Sequence, residues 1–206
     1  MIAAPKYGFV VLAVPKSGST ALEAAFAKHA QLVTSGPHSL KHVGVQGFEH
    51  DIAPLLDEHG YPRTGYEVAA LVRDPVSWMS SWWRYRSRPG IVGTATYTGE
   101  MSFDEFVGRV STGEIDLPSQ SSYVTGPDGA PGVDRLYRYE DLDDFLAWLH
   151  ECLGPKKARK SQLKQRNVSP ERQHEVSAAT RDLVEEVYAA DVALHRDVAT
   201  GRLTGR

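Results

Sequence analysis

Apolar residues along this chain alternate between two rhythms, short continuous runs and stripes at helical spacing. Tyr7 to Val14 (YGFVVLAV) is an unbroken apolar run rich in β-branched residues, closed by Pro15 and a loop of small residues, and it predicts a buried strand. Thr20 to His29 follows with Leu22, Ala25, Phe26 and His29 on one helical face. Asp51 to His59 reads as a short helix stopped by Gly60 and Pro62. Tyr66 to Val72 (YEVAALV) is a second buried strand. Asp74 then supplies an N-cap and Pro75 fits the first helical position, predicting a helix to about Arg86.

The second half is more broken. Arg88 to Gly99 is loop-like, and Ser102 with Glu105 forms a capping box ahead of Phe103, Phe106 and Val107. Thr112 to Gly132, rich in Gly, Pro, Ser and Asp, reads as a long exposed excursion of the kind that is often functional. Arg135 to Tyr139 is a short strand. Asp141 caps a helix through Leu153, which Gly154 and Pro155 end. Ser169-Pro170 starts a final helix with Leu183, Val184, Val187, Tyr188 and Leu194 as its buried stripe. Strands alternating with helices predict an α/β sheet, mostly parallel.

Composition narrows the function classes. The chain has 206 residues, 41% hydrophobic and 24% charged, as in an ordinary globular protein, and it is expected to form one domain over 1–206. A formal charge of −3 gives no bulk reason to expect a nucleic-acid partner. Cys152 is the only cysteine, which excludes an internal disulfide and multi-cysteine metal sites. The longest apolar stretch, Phe9 to Val14, is too short to span a bilayer, and the N-terminus lacks a signal-peptide design. These features predict a soluble, cytoplasmic protein with no membrane span.

Two segments carry candidate chemistry. Val14-Pro-Lys-Ser-Gly-Ser-Thr20 lies between a strand and a helix, a natural anion site, because loop N–H groups and the helix dipole point outward there. Lys16 adds a full charge, Gly18 allows close backbone approach, and Ser17, Ser19 and Thr20 add hydroxyl donors. A Walker A loop places its lysine after the final glycine, and this one does not. In Leu71-Val-Arg-Asp-Pro-Val-Ser-Trp-Met-Ser-Ser81, Arg73 leaves a strand end and Ser81 lies about two turns along the next helix. Both can reach one anion at the strand's C-terminal edge, the guanidinium as a bidentate fork. Taken alone, each segment describes an ordinary turn or an ion-paired arginine equally well.

Together they resemble the sulfotransferases that use 3′-phosphoadenosine 5′-phosphosulfate (PAPS). There a P-K-[ST]-G-[ST]-[ST]-like loop holds the 5′-phosphosulfate. An R-[DN]-P segment with a serine eight positions after the arginine holds the 3′-phosphate, and Arg73 and Ser81 keep that spacing. Arg138-Tyr-Glu-Asp-Leu142 and Asn167-Val-Ser169 are similar to two further family segments, in the same order. The pattern is closest to the carbohydrate (glycan-modifying) branch.

The resemblance implies a three-layer α/β/α architecture like that of P-loop NTPases. It also implies in-line transfer of a sulfuryl group to an acceptor hydroxyl or amine on a carbohydrate or other small molecule, with the desulfated nucleotide (PAP) as product. Lys16 is the expected leaving-group contact, and no metal is required. A histidine is the natural general base, since it titrates near neutral pH. Lys41-His42 resembles the context of the base in several relatives, which favours His42, with His38 the close alternative and Glu49 and His50 weaker ones. Lys41 is either an anion contact or a solvated charge.

Other residues stay open. Trp78, Trp82, Trp83 and Tyr85 crowd one helix, some for the core and one for a ligand face. Arg84, Arg86 and Arg88 form either an anionic-acceptor site or an exposed basic helix end. Tyr139 and Glu140 are expected to be structural. The stretch from Lys156 to Arg166 has six Lys or Arg, of which Lys160, Lys164 and Arg166 are the choices for a 3′-phosphate contact. The loops at Arg88–Gly99 and Thr112–Gly132 are expected to shape the acceptor pocket. Competing readings are a P-loop-type kinase using Mg²⁺ and a nucleotide triphosphate, and a nucleotide-binding protein without chemistry.

Overall fold

A computed structural model describes residues 1–164, 172 and 174–199. Its sheet has five strands: β1 (Ile2–Ala4), β2 (Phe9–Val11), β3 (Leu32–Val33), β4 (Glu67–Val72) and β5 (Arg135–Arg138). They lie in the order β3-β1-β2-β4-β5. The helices of the first half are α1 (Ser19–Phe26), α2 (His38–Lys41), α3 (Val45–Gly47), α4 (Ala53–Glu58) and α5 (Pro75–Tyr85). Those of the second half are α6 (Phe103–Ser111), α7 (Ser121–Val124), α8 (Leu142–Leu153), α9 (Pro155–Ala158), α10 (Ala178–Val187) and α11 (Ala189–Ala199).

The sheet is mixed rather than mostly parallel. β2, β4 and β5 run parallel, but β1 pairs antiparallel with both β2 and β3. The reason lies in the first eight residues. Ile2–Ala4 form a strand that Pro5–Tyr7 and Gly8, at φ 80°, turn back into β2. The side chains of Met1 to Ala4 are buried in the core. Three residues are too few to show a period, so this hairpin escapes a reading by hydrophobic rhythm.

Alternation along the strands sends side chains to two faces. Val10, Leu12, Val68, Ala70, Val72 and Leu136 pack against Phe48, Leu56 and Leu194. Phe9, Val11, Ala69 and Leu71 pack against Leu22, Phe26, Phe145 and Leu149. Both faces of the sheet are therefore covered by helices. A third apolar cluster joins α5, α6 and α10 through Trp78, Trp83, Phe106 and Val184.

The helix signals hold with local exceptions. Asp74 and Ser102 cap α5 and α6 as expected, accepting from the Ser77 and Glu105 amides. The Glu105 side chain, however, pairs with Arg109 instead of closing the capping box. Asp141 stands at the start of α8, but its carboxylate grips Arg138 at 2.6 and 2.9 Å rather than the helix amides. The start expected at Ser169-Pro170 lies outside the described residues. Ser177 caps α10, and Tyr188 breaks the expected single helix into α10 and α11. There the Tyr188 ring packs edge-on to Trp78 and its hydroxyl donates to the Leu117 carbonyl. Val187 is consequently exposed rather than part of a buried stripe.

Among the described residues, no helix is long and apolar enough to cross a membrane.

Candidate anion-binding active site

The three parallel strands deliver their C-terminal ends to one place. Pro15 and Lys16 follow β2, Arg73 follows β4, and Tyr139 follows β5. In open α/β sheets ligands bind at this edge. Here a cleft of about 530 Å³ opens, within the roughly 300–1,000 Å³ of small-molecule sites. It brings together Lys16, Gly18, Ser19, Thr20, His38, His42, Arg73 and Ser81, which are far apart in sequence.

The loop after β2 is shaped by its backbone. Lys16 adopts φ 65°, the one described non-glycine residue in the left-handed region, a conformation that costs about 1 kcal/mol and clusters at functional sites. Gly18 follows at φ 82°, and a Cβ there would stand 3.2 Å from the Tyr139 ring. No side chain caps α1; the Gly18 carbonyl closes the Ala21 and Leu22 amides. The positive end of the helix thus faces the cleft.

Ser17 corrects one expectation. Its side chain is buried, and its hydroxyl donates to the Val14 carbonyl at 2.7 Å, so it braces the loop and does not line the cleft. Trp78 acts similarly from below, its buried indole N–H donating to the Pro15 carbonyl at 3.0 Å.

Arg73 is held on several sides. Its Nε donates to the Ser77 hydroxyl at 2.8 Å, and an Nη lies 3.5 Å from the Lys16 carbonyl. The guanidinium lies over the Tyr139 ring, 4.7 Å from the centroid. Behind it, the Gln120 amide brackets the Arg73 backbone, accepting from its N–H at 2.8 Å and donating to its carbonyl at 2.7 Å. Asp191 in turn accepts from the Gln120 and Ser121 amides.

Thr112–Gly132 is exposed along much of its length, as expected, but it is anchored at a few buried points and does not shape the cleft. Leu117, Gln120 and Val124 are buried, and no residue of the segment lines the cleft. Polar residues anchor it because a buried amide must be satisfied, and the Arg73 backbone satisfies this one. In the other loop assigned to the acceptor pocket, Arg88 is the residue that lines the cleft.

Positive charge dominates the site. Lys16, Lys41, Arg73, Arg84 and Arg88 line it, and among the described residues no Asp or Glu does. Burial, reinforced by Arg88, Arg73 and Arg84, pushes the Lys16 amine down to about 7. Burial also lowers Arg73 from its ordinary value. Elsewhere arginines sit on carboxylates: Arg63 on Glu49 and Asp134, Arg135 on Glu67, Arg109 on Glu105 and Glu114. Lys41 lies 3.6 Å from Glu23 and also donates to the Thr20 hydroxyl.

The histidines differ from each other. His42 is half-buried, and its Nδ1 bonds the Ala13 carbonyl. A carbonyl only accepts, so Nδ1 carries the proton and Nε2 keeps its lone pair. Burial pushes His42 down to about 4, partly offset by the Ala13 bond and helped by His38 and Lys41. It is therefore neutral near pH 7. His38 is exposed, its ring centroid 4.5 Å from that of His42. Glu49 and His50 lie outside the cleft, engaged by Arg63 and Asp51 respectively.

The remaining candidates also separate. Trp82 and Tyr85 line the cleft, whereas Trp78 and Trp83 are core residues. Arg84 and Arg88 line it; Arg86 turns away, over Trp82 and toward the Asp116 carbonyl. Lys160 and Lys164 do not line it, and the Lys160 carbonyl accepts from Lys28. Arg166 and Asn167–Ser169 lie outside the described residues. Glu140 is structural, as expected. Burial alone would raise its carboxyl, but hydrogen bonds from His195 and the Asp74 amide outweigh this and hold it at about 2.

Tyr139, expected to be only structural, lines the cleft under Arg73, and Gln120, which sequence did not single out, holds the Arg73 backbone. Tyr139 has a sequence signal in its position directly after a strand end. Gln120 has none, since its partner is a backbone 47 residues away.

The chain matches no protein-family model and no curated protein.

Proposed function

We propose that this chain is a PAPS-dependent sulfotransferase of three-layer, P-loop-like architecture. It would transfer a sulfuryl group to an acceptor hydroxyl or amine. The observation that carries this reading is the convergence of the Lys16 loop, Arg73 and Ser81 on one cleft lined by cations and, among the described residues, by no carboxylate. Such a cleft fits a ligand with two separated phosphate-type groups. The lowered Lys16 amine supports the same view, because crowded buried cations are relieved by an anion.

The donor, when bound, supplies a sulfuryl group on a phosphate leaving group. In this reading Arg73 and Ser81 grip the 3′-phosphate, the guanidinium with charge-assisted hydrogen bonds. The amides at the start of α1, with Ser19 and Thr20, hold the 5′ end. Lys16 sits beside the leaving oxygen and stabilises the charge that develops there. His42 Nε2 takes the acceptor proton as the new oxygen–sulfur bond forms, its ring fixed by the Ala13 carbonyl. Tyr139 packs on Arg73 and sets its direction.

Thermal unfolding with PAP, beside ATP plus Mg²⁺, tests the reading. A ligand at about 100 times its dissociation constant stabilises by roughly 2.7 kcal/mol. In a domain of this size that raises the midpoint by about 5–10 °C. The expected result is a rise with PAP that ATP and Mg²⁺ do not match. A rise with ATP and Mg²⁺ alone would sink the proposal in favour of a kinase.

A further inference from the structure

Two polar residues of α11, Asp191 and His195, stand one helical turn apart, and each holds a segment that flanks Arg73. Buried Asp191 accepts from the Gln120 and Ser121 amides at 2.8 Å each, and Gln120 brackets the Arg73 backbone. His195 Nε2 lies 2.9 Å from one Glu140 oxygen, and since a carboxylate only accepts, the imidazole donates. The other Glu140 oxygen accepts from the Asp74 amide at 3.0 Å. The Arg73 N–H, the Arg73 carbonyl and the Asp74 N–H, successive along the chain, are therefore all held by side chains that lean on α11.

The same hydrogen bonds decide what the Arg73 guanidinium meets. Burial works against its charge, while the nearby carboxylates of Glu140 and Asp74 favour it. Asp74 is committed to α5, where it accepts from the Ser77 amide. Glu140 is committed to His195 and the Asp74 amide. Among the described residues, Arg73 accordingly forms no ion pair; it donates to the Ser77 hydroxyl and lies over the Tyr139 ring. Glu140 directly follows Tyr139, so its carboxylate is the acid best placed to reach that guanidinium if its own partner is lost. A carboxylate and a phosphate compete for the same guanidinium fork.

We propose that His195 is a positioning residue of the anion site: by holding Glu140 it keeps that carboxylate off Arg73 and leaves the guanidinium to the 3′-phosphate of the donor. This rests on the donor reading above. His195 touches neither donor nor acceptor and acts only through Glu140.

The test is calorimetric titration of the full chain with PAP. His195→Phe and His195→Ala both remove the hydrogen-bond donor, the first keeping a ring in place. Either should weaken PAP binding about tenfold, as Glu140 turns to Arg73 and competes with the phosphate. Adding Glu140→Gln to the same chain should bring affinity back to within about threefold of the unaltered protein, because glutamine still accepts from the Asp74 amide but carries no charge. In an Arg73→Met chain, His195→Phe should cost nothing further, since both substitutions act through one guanidinium. Unchanged PAP affinity in the His195 variants overturns the proposal. So does a loss that Glu140→Gln fails to restore, which would make His195 a structural support only, or an undiminished further loss in Arg73→Met. Failure of the donor reading is seen separately, as absence of PAP binding to the unaltered chain.

Discussion

The two walls of the cleft respond to burial in opposite ways. On one wall, Lys16 and Arg73 sit among other cations beside Tyr85 and Tyr139, and burial pushes the Lys16 amine down to about 7. On the other, burial pushes His42 down to about 4. Desolvation acts on both by penalising the charged form. The consequences differ because the required forms differ. A proton acceptor must be neutral, so His42 is ready for its role without a ligand. An anion contact must be charged, so Lys16 is completed by the ligand it binds.

The sharpest division between the walls is expected from His42→Ala. Turnover should fall about 10²–10⁴-fold, the usual contribution of a general base, with PAP affinity nearly unchanged. A parallel loss of PAP affinity, measured by calorimetry, would erase the distinction. If turnover survives in His42→Ala and falls in His38→Ala, the exposed neighbour is the base.

Arg73→Met addresses the other wall. PAP affinity should drop about hundredfold, for loss of a charge-assisted, bidentate contact. Unliganded stability should hold or rise, because a buried cation among cations is removed while the Gln120 bracket on the Arg73 backbone remains. An unfolded Arg73→Met chain would show that this arginine works as a structural ion instead.

The smallest effect is the pH dependence of PAP binding. Free Lys16 loses its proton near pH 7, and a bound anion raises that value, so binding takes up a proton above pH 7. Affinity should therefore fall as pH rises, by about tenfold between pH 7 and 9. The phosphates of PAP are fully ionised over this window, their second pKa being about 6. Lys16→Met should flatten the profile. A wild-type profile that is already flat would remove Lys16 from the anion site.

Legibility in the sequence followed the range of the interactions. Asp74, Pro75 and Ser102 announced their helices because capping is settled within three residues. Arg73 and Ser81 kept a spacing that one strand end and one helix translate directly into space. Ser17 looked like its neighbours Ser19 and Thr20, yet only the folded loop turns its hydroxyl to the Val14 carbonyl. Arg84, Arg86 and Arg88 looked like one basic cluster until the helical turn divided them.

By itself the sequence determined the α/β character, the two anion-type loops at strand ends and the charge available to them, because each rests on local pattern. The tertiary structure alone decided that the sheet is mixed, since a three-residue strand at the N-terminus has no rhythm to read. It also decided that Thr112–Gly132 anchors Arg73 through Gln120 and that Tyr139 walls the cleft. Finally, it decided that His42, and not His38, has its proton fixed on one nitrogen. Those features depend on contacts between residues dozens of positions apart, which burial and hydrogen-bond satisfaction select only once the chain has closed on itself.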